Sequence, residues 1–197
     1  MQNFFVFLVL CVCFISCNNS QQSANNKESV EENSFDKEEY IDKGIEIAAY
    51  SQGAIGGALQ KAMKEGGVPN ALDICNVKAL PITDSLAKHH NIVLKRVSEK
   101  NRNPENMANS QDLEVLADFK VQIEEDGAAM PTVVKHNDDI VFYYPILTMT
   151  KCMNCHGQVG TEIQEDHYEQ ILSLYPNDKA IGYEPGELRG AFKMVFN

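Results

Sequence analysis

The chain has 197 residues, 44% hydrophobic and 23% charged, with a formal net charge of −11. That length supports one domain with a real hydrophobic core and is too short for two large ones. The excess of acid argues against nucleic acid and anionic membrane surfaces as partners.

From Phe4 to Ile15 the residues are almost all apolar, a run too short to span a bilayer comfortably but placed where a secretory signal carries its hydrophobic region. It ends in Phe14-Ile15-Ser16-Cys17 and turns polar at once. A small residue before a cysteine at this point resembles the lipobox of bacterial lipoproteins, with Phe14 in place of the usual leucine. The expected organisation is a signal peptide over 1–16, a lipidated Cys17 and flexible tether over 17–37, and a folded domain over 38–197. Such a protein would sit in the cell envelope, attached to a membrane through its lipid and facing the periplasm. Of six cysteines, Cys11 and Cys13 would leave with the signal and Cys17 would become a thioether. Cys75, Cys152 and Cys155 remain, an odd number that pairwise oxidation does not account for.

In the folded part, Ile41, Ile45, Ala48, Ile55, Leu59 and Met63 recur at helical spacing and predict an amphipathic helix ending at Gly66-Gly67. Gly53, Gly56 and Gly57 weaken it, which would make sense if another helix or a flat ligand came close. Asn70 to Ala79 continues as helix with Leu72, Cys75 and Ala79 on one face; Pro81 should kink or end it before a further piece over 82–90. Ile92-Val93-Leu94 and Val97 suggest a strand, and an Asn-rich loop follows over 99–110. A helix over 112–125 would bury Leu113, Leu116, Ala117, Val121 and Gln122. Thr132-Val133-Val134 and Ile140–Tyr144 flank a turn at His136–Asp139, a hairpin signature. Thr161 with Gln164 looks like a capping box opening a helix through Leu174, stopped before Pro176. Leu188 to Phe196 is apolar enough to close a sheet. Helices first and hairpin-forming strands later point to α+β with an antiparallel sheet.

After the hairpin comes Lys151-Cys152-Met153-Asn154-Cys155-His156-Gly157. Two thiols at this spacing can add across the two vinyl groups on one side of a haem, and the next residue's imidazole can reach the iron. A zinc site is a second reading, but no second ligand pair at structural-zinc spacing is present. A thiol–disulfide redox motif is a third; it normally opens a helix in a parallel βαβ context, which this sequence lacks. The run Lys95–Arg102 concentrates four cations in an acidic protein and suits the two haem propionates. Candidates for a second axial ligand are Cys75, then Met130, Met149, Met153, His89, His90, His136 and His167. A buried thiolate there would favour ferric iron, whereas a Met ligand would raise the potential.

Four blocks then act together: Asp73-Ile74-Cys75 with Ala79-Leu80-Pro81; Lys95–Ser98 with Arg102–Asn106; Tyr144-Pro145-Ile146 ahead of Cys152–Gly157; and Tyr175–Tyr183 with Gly186–Gly190. Over about residues 38–197 this resembles the bacterial family of extracytoplasmic c-type haem proteins with a PAS-like fold, whose members occur alone or as sensor regions of signalling proteins. The resemblance implies one covalent haem on Cys152 and Cys155, with His156 as proximal ligand and Cys75 as the other axial ligand. It also implies Arg96, Arg102 and Asn103 at the haem edge. The expected function is redox or gas sensing, with a diatomic gas or a redox partner protein as the further partner and single-electron transfer as an accompanying capacity. A small electron-carrier cytochrome, a haem peroxidase-like enzyme and a thiol redox protein are the alternatives. No distal His-x-x-Arg-like pairing supports the peroxidase.

Overall fold

The computed structural model describes residues 36–196. The signal-peptide and Cys17 readings, and nearly all of the tether, lie outside the described residues.

Asp36 opens the first helix, its carboxylate accepting from the amides of Glu38 and Glu39 at 3.1 and 3.3 Å. Helix α1 (Lys37–Asp73) is broken where the glycine pair predicts, at Gly66 and Gly67, the latter at φ 69° and ψ −154°. No described helix is long and apolar enough to cross a membrane. A π-helical turn (Ile74–Lys78) follows, and α2 (Ala79–His90) runs on from it. The sequence places the disturbance at Pro81; the structure moves it one turn earlier. Pro81 has no N–H for the Val77 carbonyl and its ring crowds that oxygen, and widening the preceding turn makes room without ending the helix.

Four strands, β1 (Ile92–Val97), β2 (Thr132–His136), β3 (Asp139–Leu147) and β4 (Leu188–Phe196), form one antiparallel sheet in the order β1-β4-β3-β2. The expected hairpin is β2–β3, with Asn137 at φ 54° in its turn. The fold is α+β, as the element order implies.

Helices cover both faces. On one, Ile47 and Ala48 of α1 and Leu86 of α2 pack with Leu94, Phe142 and Met194. On the other, α3 (Ser110–Asp126) lays Val115, Leu116 and Phe119 against Val141, Tyr143 and Ala191. The expected face of α3 is corrected: Leu113 and Val121 are 40% and 49% exposed. Both sets have helical spacing and differ by a small rotation, and the larger Phe119 with the capping box of Asn109 and Asp112 decides which turns inward.

Two further expectations change. Thr161 does not cap a helix; α5 (Glu165–Leu174) starts after Gln164, with no side-chain cap bond. Gly53, Gly56 and Gly57 do not mark a close approach, since an added Cβ would meet nothing within 4 Å at any of them. Gly44, by contrast, is tight: a Cβ there would come within 2.5 Å of the Phe142 ring.

Candidate functional site

The chain leaves β3 and turns through a short 3₁₀ segment (Thr150–Cys152) into the one-turn helix α4 (Met153–His156). Three of the motif's residues thus share about one and a half turns. Cys152 and Cys155 are half-buried and unpaired. Cys155 packs at the apolar cluster of Val68, Leu72, Ile163 and Ile171, and Cys152 at that of Met153, Ala180 and Tyr183. Both thiols therefore sit at the rim of apolar surfaces.

His156 closes α4. Its Nδ1 lies 2.7 Å from the Ala180 carbonyl oxygen, which can only accept, so the ring proton is on Nδ1 and the Nε2 lone pair is left for a ligand. Burial, reinforced by the Arg189 and Arg102 guanidiniums, holds its pKa well below the ordinary value and keeps the imidazole neutral. Tyr183 stands edge-on to it, ring centroids 6.2 Å apart.

Cys75 arrives from the π turn. Burial raises its pKa, opposed by the charges of Arg96, Arg102 and Arg189. Cys155 is pushed up to about 11, again mainly by burial, and the charge of Cys75 reaches it. The topology thus brings together the three thiols left by the cysteine arithmetic, around an imidazole and three arginines. A reactive disulfide-exchange thiol is expected to have a depressed pKa, and the motif follows a strand of an antiparallel sheet with no parallel βαβ unit beside it; both features disfavour the redox-motif reading. Among the described residues no group of three or more His, Cys, Asp or Glu side chains is placed to hold a metal ion.

The four cations of the Lys95–Arg102 run have separated. Strand alternation turns Arg96 towards the face covered by α1 and α2, and its charge is felt at Cys75. Arg96 also lies within electrostatic reach of Tyr175. Lys95 points to solvent. Lys100 donates to the Ile181 carbonyl at 2.6 Å and lies 4.3 Å from the centre of the Tyr183 ring. Arg102 forks onto Asp178, Nε to Oδ1 at 3.1 Å and Nη2 to Oδ2 at 3.0 Å; Nη2 also reaches the carbonyls of Cys155 and Ala180, at 2.6 and 3.3 Å. Asn103 caps the 3₁₀ turn Pro104–Asn106, accepting from the Glu105 amide at 3.0 Å. Arg102 and Asn103, assigned to a haem edge from the sequence, thus have protein partners.

The remaining axial candidates scatter. Met130 and Met149 are exposed, Met153 is buried within α4, and His136 lies against Gln111. Sequence reasoning passed over Arg189, Asp178, Tyr175 and Tyr183. Arg189 donates to Ser98 Oγ at 2.8 Å and to the Lys100 carbonyl at 3.1 Å, within electrostatic reach of His156. All four sit in the C-terminal blocks, so the signal was present although their roles were not. A half-open cleft of about 310 Å³ between α3 and the 182–190 loop is lined in part by Lys100, Tyr183 and Arg189, but by none of the motif's cysteines or its histidine.

The antiparallel sheet, its covering helices and the short helix that carries Cys152, Cys155 and His156 together form one α+β domain. The chain belongs to the Tll0287-like family, whose pattern it matches over residues 18–196. Among solved structures it is similar to the cyanobacterial heme-protein Tll0287, with a TM-score of 0.55 and 17% identity over 78% of this chain and 94% of that one. At that identity the likeness shows the fold alone. No curated protein matches.

Proposed function

We propose that this protein is a c-type haem protein of the cell envelope, anchored through Cys17 and facing the periplasm, that senses redox state or a diatomic gas. The observation that carries the reading is the geometry of α4: two rim thiols beside an imidazole whose proton is fixed on Nδ1 by the Ala180 carbonyl. Membership of a family named for a haem protein, and a fold shared with that protein, support it. The four-stranded antiparallel order β1-β4-β3-β2 with covering helices supports a PAS-like classification.

The residues fit the group. Cys152 and Cys155 would hold it as thioethers, His156 would present Nε2, and Arg96, which faces the Cys75 side of the sheet, would take a propionate. Cys75 would offer its sulfur as a further ligand. Burial disfavours the free thiolate, the surrounding arginines favour it, and coordination removes the proton outright. When bound, haem supplies a one-electron couple and an exchangeable coordination position. Cys75 lies on the π turn, a rare kind of helical element that is frequent at functional sites.

Absorption spectra of the purified full chain, reduced with dithionite and then exposed to CO, test the function. Gas sensing predicts a further spectral change on adding CO. A reduced spectrum that CO leaves unchanged contradicts gas sensing through a displaced Cys75 and leaves redox sensing and single-electron transfer.

A further inference from the structure

Arg102 is 7% exposed, and the Asp178 side chain it forks onto is fully buried. Between them they grip one peptide group. Asp178 Oδ1 accepts from the Ala180 amide at 2.9 Å, while Arg102 Nη2 donates to the Ala180 carbonyl at 3.3 Å, the same oxygen that receives Nδ1 of His156 at 2.7 Å. Arg102 also holds the Cys155 carbonyl at 2.6 Å, which ties α4 to the 178–180 loop. The resemblance puts this cation at the haem edge, and its guanidinium here is held by Asp178 and two backbone carbonyls.

We infer that Arg102 and Asp178 are positioning residues for His156, setting through the Ala180 peptide where its imidazole stands and how strongly Nε2 donates. The inference rests on the haem reading above. An imidazole becomes a better donor at Nε2 as the acceptor on its Nδ1–H strengthens. A guanidinium sharing the Ala180 oxygen weakens that acceptor, and its positive charge favours the reduced iron. Asp178 balances the charge and fixes the Ala180 amide. The pair thus acts on the potential in opposite senses, which two residues that merely stiffen a loop would not do.

Spectroelectrochemical midpoint potentials of the haem-loaded full chain decide it. Arg102→Gln is expected to lower the potential, because it removes a cation and frees the carbonyl for His156. Asp178→Asn is expected to raise it, because it leaves Arg102 unbalanced. The double variant should return towards the wild type, and Arg102→Lys should fall less than Arg102→Gln because it keeps the charge. Removing one partner of a buried pair leaves an uncompensated charge, so a half-pair can fail to fold. Arg102→Lys and the double variant then carry the comparison. Potentials that stay put, or shift the same way in both single variants, overturn the positioning role. A colourless wild type overturns the haem reading and the inference with it, whereas a red wild type with unmoved variants sinks the inference alone.

Discussion

Gly44 and Gly53 stand on the same helix under opposite constraints. At Gly44 the backbone presses against the buried Phe142 ring; at Gly53 there is open space. Gly44→Ala should therefore destabilise the fold by about 1–3 kcal/mol, as overpacking does. Gly53→Ala should stabilise it by up to about 1 kcal/mol through helix propensity. Thermal melts of the two variants check both signs. The sequence singles out the three clustered glycines and passes over Gly44, because spacing reports where Cβ atoms are missing and not what lies opposite. The site reads similarly. Cys152, Cys155, His156 and Cys75 are legible as types and spacings, and the fold gathers them. The partners of Arg102 were not legible, since Asp178 lies 76 residues away and its acid looks like any other in an acidic chain.

Among the elements, the hairpin, β1 and β4 follow from alternation and turn chemistry, and α1 breaks at its glycine pair. Misplaced features sit where tertiary packing outvotes local pattern: the rotated face of α3, the π turn ahead of Pro81, the late start of α5. The rotation of α3 has an energetic signature. Asp112 in its first turn accepts from Tyr143 Oη at 2.8 Å and from Lys193 Nζ at 2.7 Å, joining the helix to β3 and β4. Burial, then the bond to Asp112 and its charge, raises the Tyr143 pKa above its usual value of 10.0. A group whose pKa is raised on folding contributes stability that is intact below its unfolded pKa and lost as pH rises past it. Above pH 10 the unfolded chain releases the phenol proton and the native chain keeps it. Denaturant titrations should accordingly show the stability advantage of the wild type over Tyr143→Phe shrinking by about 1.4 kcal/mol per pH unit above pH 10. A constant gap would show that Tyr143 ionises equally in both states.

For the molecule as a whole, the sheet is a partition. One face carries α3 and the Asp112 network; the other carries α1, α2 and the turn that delivers Cys75. Arg96 faces the Cys75 side because β1 alternates, and α4 leaves β3 so that its thiols meet the apolar clusters of the second half of α1 and the 180–183 segment. α+β architecture was readable from the order of elements. The juxtaposition of residue 75 with residue 155 was not, since it depends on how the helices wrap the sheet. The account stands or falls on covalent attachment at α4. A haem-stained denaturing gel of the full chain and of its Cys152→Ala, Cys155→Ala and double-alanine variants tests it directly. The account predicts a stained wild-type band that survives denaturation and is lost in the double variant. An unstained wild type, or stain that persists with both cysteines gone, would contradict it.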